Sequence, residues 1–436
     1  MDCFATLAMT PQKGNHMNSF VESVNFFEGN NPEKIASEYG TPLYVYNEKI
    51  LRDRMHKVSQ VITKYPYTAN YSVKANTNIH ILKLALEEGI NCDAMSTGEI
   101  EMLFKAGFPK DRIFFIPNNV DASELIYALK HGIMTSLDSL AQLELFGECC
   151  SDLKLSDDKR QCAVRINPGV GAGHCEKVVT GGKKTKFGIA EEDIPQIFEI
   201  AAKYNITIAG INQHIGSGFM SPEPYLEAVK NFLQIALQFK NLKFIDFGGG
   251  YGIPYHKLDD EKEYPMEDFK KRLEPILDDF VSKYGSAPMF KSEPGRYCVA
   301  EGSVILGRVH ATKQNNGHLY AGTDVGMNVL VRPSMYDSWH DVEVIRDGKV
   351  VARDNLVEQN LVGNICESGD ILAKERKLPK MQRGDLACIL DTGAYGWSMC
   401  STYNSRPRAA EVLITKDGKV KQIRRRETIN DLMRLF

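Results

Sequence analysis

The 436-residue chain predicts an α/β fold: a (β/α)8 TIM-like barrel followed by an antiparallel β domain, barrel or sandwich in form. Three observations carry this. Eight short apolar segments of strand character alternate with stretches of helical period. The residues at or just past the ends of those segments are polar or glycine-rich, as on the working face of such a barrel. Beyond Arg296 the texture changes to short strands separated by hairpin pairs at Asn316-Gly317, Asp347-Gly348 and Asp417-Gly418.

Taken in order, residues 1–25 read as a ragged N-terminal tail. Met1 to Phe20 holds one basic residue, Lys13, and no sustained apolar run, so it makes a poor secretory signal. Residues 26–46 form a segment that joins the β domain. In it, Asn31-Pro32 opens a short capped helix, and Thr41 to Tyr46 is a strand the barrel does not need. The barrel spans 47–296. Its strands are expected at Tyr67 to Ala75, Asn91 to Met95, Arg112 to Ile116, Met134 to Leu137, Cys162 to Ile166, Ile208 to His214, Leu242 to Phe247 and Pro288 to Ser292. Helical spacing fills the gaps, for example at Ile79 to Glu88 and Met266 to Tyr284. Residues 297–436 form the C-terminal β domain.

Composition narrows the function. A net charge of -3 offers no basic field for nucleic acid or an anionic membrane, and no apolar run approaches a membrane span. Small ligands are the expected partners. Ten cysteines without C-x-x-C pairs do not make a disulfide framework, which fits a reducing cytoplasm.

Tyr71-Ser72-Val73-Lys74-Ala75-Asn76 places one lysine at the mouth of an apolar strand. It is either a solvated strand end or an amine kept partly dry. Desolvation lowers an amine's pKa, and a neutral amine can attack an aldehyde. Asp246-Phe247-Gly248-Gly249-Gly250-Tyr251-Gly252 follows another strand, where glycines either make a tight turn or let backbone N–H groups approach a phosphate. Its spacing is not that of a dinucleotide fingerprint. His214-Ile215-Gly216-Ser217 adds an imidazole and a hydroxyl one strand earlier. Glu293-Pro294-Gly295-Arg296 closes the eighth strand, as a surface ion pair or as a carboxylate that keeps a pyridine nitrogen protonated. In the second module, Cys366-Glu367-Ser368-Gly369-Asp370 and Gly393-Ala394-Tyr395-Gly396 gather a thiol, two acids and a phenol in glycine-flanked turns.

Together with Tyr403-Asn404-Ser405-Arg406-Pro407-Arg408, this ordered set resembles the pyridoxal-phosphate-dependent decarboxylases with an alanine-racemase-like barrel (fold type III), from about Phe26 to about Ile414. The resemblance implies pyridoxal 5'-phosphate as cofactor, with Lys74 as its Schiff-base amine, His214 stacked on its ring and Glu293 paired with the ring nitrogen. Ser217, Gly248, Gly249, Gly250 and Tyr395 would hold the phosphate, with Gly295 and Arg296 beside them. Cys366 would reach into the neighbouring subunit's pocket as the proton donor, which implies a homodimer with shared active sites. Val331-Arg332-Pro333-Ser334-Met335-Tyr336 is similar to the diaminopimelate-decarboxylating branch. There Arg296, Arg332 and Tyr336 grip the substrate's distal carboxylate and Glu367 faces its distal ammonium. The implied reaction is conversion of meso-2,6-diaminopimelate to L-lysine and carbon dioxide. The rivals are a same-fold decarboxylase of another amino-acid-like substrate and a non-catalytic regulator that has kept the fold.

Departures from the family pattern fall at Phe114 to Asn119 and at Asp337-Ser338-Trp339-His340, both where substrate shape would be read. Val179 to Lys186 resembles the family's lid loop.

Overall fold

The computed structural model describes residues 19–169, 171, 180–182 and 185–436. Val179, Lys183 and Lys184 of the lid-like loop, and most of the expected tail, lie outside that set.

A strand β1 (Leu43–Asn47) precedes the barrel, which is built of β2 (Tyr67–Ser72), β3 (Asn91–Ala94), β4 (Ile113–Phe115), β5 (Met134–Leu137), β6 (Gln161–Arg165), β7 (Thr207–Asn212), β8 (Phe244–Asp246) and β9 (Met289–Ser292). All neighbouring pairs are parallel, and the ring closes where Tyr67, Thr68 and Ala69 of β2 meet Phe290, Lys291 and Ser292 of β9. Each expected barrel strand is present. β2 ends earlier than expected, at Ser72, because Val73–Ala75 is a single 3-10 turn.

Phe114 on β4 meets Phe244 on β8 edge to face, with ring centroids 5.3 Å apart. Those strands lie opposite each other in the ring, so the contact runs through the barrel interior, where Ile116 and Ala163 complete a small apolar plug. Phe114 therefore departs from the family pattern to fill the core. Ile116 and Asn118, a little further on, are the residues of that stretch that reach the cavity.

The second domain holds β10 (Ser303–Asn315), β11 (His318–Thr323), β12 (Val342–Arg346), β13 (Lys349–Val350), β14 (Leu356–Val362), β15 (Ile371–Pro379), β16 (Leu386–Ile389), β17 (Ala410–Ile414) and β18 (Val420–Arg424). With β1 they form a ten-stranded sheet among the described residues. The sheet is mixed rather than purely antiparallel, since β1 runs parallel to β17 and β11 parallel to β14. β1 enters before the barrel is built and inserts between β10 and β17, which run in opposite directions, so one of its two pairings must be parallel.

The packed chain also begins before residue 26. Phe20 and Val21 on a short helix (Phe20–Ser23), with Phe26 and Phe27, are buried against Leu43, Val45, Leu306 and Val412 of the sheet. Glu343 of β12 accepts hydrogen bonds from Ser19 Oγ (2.9 Å) and the Phe20 N–H (2.5 Å), fixing that helix by its first turn. Residues 20–25 are thus part of the β domain and not a tail. No helix among the described residues is long and apolar enough to cross a membrane.

Candidate active site

The turn that carries Lys74 is held from outside the barrel. Asn76 donates through Nδ2 to Tyr46 Oη (2.9 Å) and to the Gly393 carbonyl (3.0 Å). The Ala75 carbonyl accepts from the Tyr395 N–H (2.8 Å) and from Ser398 Oγ (3.1 Å). Both clamps come from the β domain, so the second domain sets the direction of a barrel residue. The lysine, half-buried, lines a cavity of about 380 Å³ with Met95, Asn118, Arg165, His214 and Glu293.

Glu293 lines that cavity, and two further buried acids, Asp93 and Asp246, act on it through their charge. Asp93, at the end of β3, is fully buried and accepts from Ser72 Oγ at 2.6 Å. Burial pushes its carboxyl up to about 7, against the pull of Lys74. Burial likewise holds Glu293 well above the usual carboxylate range, with Asp246 and Asp93 adding repulsion. Asp246 is pushed up to about 6 by burial, although Lys291 draws it down. The effect on Lys74 corrects an expectation. Desolvation does pull the ammonium down, but Asp93, Tyr395 and Glu293 outweigh it, and its pKa ends above the ordinary value. The raised pKa favours the ammonium, so the amine becomes a nucleophile only after giving up a proton.

His214 has one definite tautomer. Its Nδ1 accepts from the Gly249 N–H at 3.2 Å, so the ring proton sits on Nε2. Burial, then Lys74 and Arg165, hold the imidazole far below its ordinary pKa, so its 3.7 Å approach to Glu293 Oε2 is a contact of a neutral ring.

The glycine run must be glycine. Gly248 has φ +73°, and a Cβ there would lie 2.3 Å from the Gln213 carbonyl. A Cβ on Gly249 would lie 1.8 Å from the Glu293 carbonyl oxygen. The two strand ends are packed backbone to backbone, and Glu293 is held beside the cradle as a result.

These residues fit pyridoxal phosphate. Glu293 Oε1 is buried with no hydrogen-bond partner, as is Asp93 Oδ1. Such orphaned acceptors are costly unless a ligand donor meets them. A pyridinium N–H is a donor of that kind, and the glycine backbone suits a phosphate.

A second patch adjoins the cavity. Arg296 donates to Ser217 Oγ (3.0 Å) and to Tyr255 Oη (2.7 Å), and its guanidinium lies 5.2 Å from the Tyr395 ring centroid. The guanidinium of Arg332, on a helical turn (Arg332–Tyr336) that ends with Tyr336, lies 4.9 Å from the Tyr255 ring. Arg332 is 2 % exposed, and its hydrogen-bond partners are the neutral His340, Ser338 and Tyr255. Gly295 joins patch and cavity, since its Cβ position would lie 3.4 Å from both Ala75 Cβ and Tyr395 Oη.

Cys366 and Glu367 stand apart. They occupy the loop between β14 and β15, both exposed, and neither lines the Lys74 cavity. Asn404 brackets the thiol, accepting from the Cys366 N–H (3.2 Å) and donating to Sγ (3.2 Å), while Glu367 accepts from Tyr403 Oη. From the sequence Asp93 counted only among the polar strand ends of the barrel's working face, and Arg165 and Tyr255 carried no role. Asp93 and Arg165 are each a charge inside an otherwise apolar strand, a signal of the same kind as Lys74.

Barrel, amine and cradle define the class as pyridoxal-dependent decarboxylase, and residues 48–300 match the pyridoxal-binding domain of that family. The chain is 40% identical over 413 residues to a diaminopimelate decarboxylase of Methanothermobacter thermautotrophicus, covering 92% of each, and 32% identical to that of Escherichia coli K12 over 92% of this chain and 95% of the relative. It superposes with a TM-score of 0.84 on diaminopimelate decarboxylase from Helicobacter pylori complexed with L-lysine, at 31% identity, covering 93% of this chain and 99% of that one. Diaminopimelate decarboxylase from M. jannaschii in complex with L-lysine gives a TM-score of 0.85 at 30% identity, covering 93% of this chain and 94% of that one. The chain belongs to the diaminopimelate decarboxylase family.

Proposed function

We propose that this chain removes carbon dioxide from meso-2,6-diaminopimelate to give L-lysine, with active sites shared between two copies in a homodimer. The observation that carries the substrate reading is Arg332. A buried guanidinium with only neutral partners is an uncompensated charge, and a substrate carboxylate would relieve it in a planar, bidentate way. Arg296, sharing Tyr255 with it, supplies a second cation within the same patch.

Bound pyridoxal phosphate supplies an electron sink for the carbanion left when carboxylate departs. The chain does the rest. Lys74 would hold the cofactor through its amine, with the buried Asp93 among the charges that act on it. Glu293 would pair with the ring nitrogen and His214 would stack on the ring, while Ser217, Gly248 to Gly250 and Tyr395 would hold the phosphate. Cys366 of the second copy delivers a proton to the reacting carbon and Glu367 meets the distal ammonium. This explains why both stand exposed and outside the cavity of their own chain.

The test is carbon dioxide release by the purified protein with added cofactor, on meso-diaminopimelate against L-lysine, ornithine and glutamate. Comparable turnover of ornithine or L-lysine would overturn the distal-carboxylate reading. Mixing Lys74→Ala with Cys366→Ala protein, each inactive alone, restores about a quarter of wild-type activity if sites are shared by exchanging subunits. No recovery under conditions that exchange subunits would remove the shared site.

A further inference from the structure

His340 lies in the stretch that departs from the family pattern, and its side chain is completely buried. Its Nδ1 is 2.8 Å from the Leu390 carbonyl and its Nε2 is 2.8 Å from NH1 of Arg332. A carbonyl oxygen can only accept, so Nδ1 carries the hydrogen. A guanidinium can only donate, so Nε2 must present its lone pair. One species satisfies both contacts, the neutral Nδ1–H tautomer. The other tautomer leaves both unmet, and the imidazolium sets an N–H against a cation.

The surroundings enforce that species. Tyr255 meets the ring edge-on at 5.4 Å, and Arg376 donates to the His340 carbonyl at 3.2 Å, so cations approach from two sides. Asp341, the adjacent acid, is engaged by the Leu258 N–H and by Trp339 Nε1. Leu390 directly follows β16, which pairs with both β10 and β12. A rigid strand therefore fixes the ring, and the ring fixes the guanidinium. Ser338 holds the other branch of the fork at 3.3 Å.

We infer that His340 is a positioning residue for substrate selection: it anchors Arg332 to the β16 strand as a neutral acceptor, aiming the guanidinium at the distal carboxylate without neutralising its charge. This rests on the substrate reading above. An acid at position 340 would neutralise Arg332 and compete with the substrate, whereas an apolar residue would leave the fork undirected.

The test uses the cofactor-loaded enzyme and two ligands that differ by one carboxylate, L-lysine and cadaverine. Their dissociation constants are measured for His340→Asn, His340→Gln and Arg332→Ala, with thermal melting as a check on folding. Asparagine keeps a donor for Leu390 but cannot reach Arg332, and glutamine places an oxygen near the Nε2 position. Loss of one hydrogen bond to a charged group is expected to weaken L-lysine about 10-fold in His340→Asn, with cadaverine within about twofold. The KM for diaminopimelate rises by a similar factor and kcat moves little, while His340→Gln recovers most of the loss. Equal weakening of both ligands by His340→Asn would mean a merely structural role and would overturn the inference. So would discrimination lost in Arg332→Ala but kept in His340→Asn, and that result leaves the substrate reading standing. If Arg332→Ala also fails to separate the two ligands, inference and substrate reading fall together.

Discussion

The N–H of Tyr395, from the β domain, donates to the carbonyl of Ala75, in the barrel turn that carries Lys74, at 2.8 Å. The bond makes the barrel's reactive amine dependent on the second domain, and Tyr395 adopts φ +59° to deliver it. A non-glycine residue in that region is held there by its surroundings. The wider clamp is Asn76, buried, which uses both amide hydrogens across the domain boundary and accepts from the Asn78 N–H at 3.0 Å.

Asn76→Ala tests that dependence. It leaves the Gly393 carbonyl and Tyr46 Oη short of a donor in a buried place, a loss of about 1–3 kcal/mol of stability. Melting temperature is expected to drop and cofactor to wash out faster on dialysis, although Asn76 does not line the cavity. Unchanged cofactor retention in a clearly destabilised Asn76→Ala protein would separate the clamp from the site.

Gly249→Ala addresses the cradle. A methyl 1.8 Å from the Glu293 carbonyl oxygen cannot be absorbed by a side-chain rotation, so the two strand ends must separate. The cost is about 1–3 kcal/mol of stability. Cofactor affinity is expected to fall more steeply than for an alanine substituted at Gly285, where a Cβ meets nothing within 4 Å but φ is +83°. That comparison, by titration of cofactor absorbance, separates contact with the neighbouring strand from backbone strain alone.

Glu293→Gln removes a charge and keeps the shape. Burial holds the Glu293 carboxyl well above its usual range, and a ligand donor against Oε1 is what would ionise it. Loss of a pre-organised charge of this kind lowers kcat about 100-fold or more. Bound cofactor is expected to be retained, because Lys74 and the glycine cradle are untouched. Full kcat in Glu293→Gln would show that the carboxylate has no electronic role.

The barrel was legible in the chain because its eight strands are short apolar runs, each followed by a polar or glycine residue that has no place in a core. Lys74, His214 and Glu293 stand out by the same contrast. Asp93 and Arg165 obey it too, but a single charge at a strand end has many uses, and only the closed ring shows that Arg165 lines the cavity and that Asp93 lies close enough to act on Lys74 and Glu293. Tyr255 comes from a loop with no periodicity, so nothing local marks it, and His340 stood out only as one of four residues in a stretch that departs from the family pattern. The mixed sheet was hidden for another reason. Whether β1 lies between β10 and β17 depends on a pairing more than 250 residues away, which hairpin signals cannot report. Phe20 to Phe27 carries five apolar residues in eight positions, and that density was the available sign that the fold begins there.

The attachment of that first helix is expected to depend on pH. Glu343 accepts from the Phe20 and Val21 N–H groups and from Ser19 Oγ, yet burial dominates and pushes its carboxyl up from 4.5 to about 7, with Asp341 adding repulsion. Between those values the folded chain keeps a proton that the unfolded chain has released. The stabilisation from this group is therefore complete below about pH 4.5 and is lost as pH rises through 7. Hydrogen exchange of residues 20–27, corrected for intrinsic rates, should show protection falling from about pH 4.5 to about pH 7 and levelling off above it. Glu343→Gln keeps an acceptor for Phe20 but cannot ionise, so it should hold its protection across that range. A wild-type protein whose first helix exchanges equally slowly at both ends of the range would place the proton elsewhere, and so would a Glu343→Gln protein with the same pH response as the wild type.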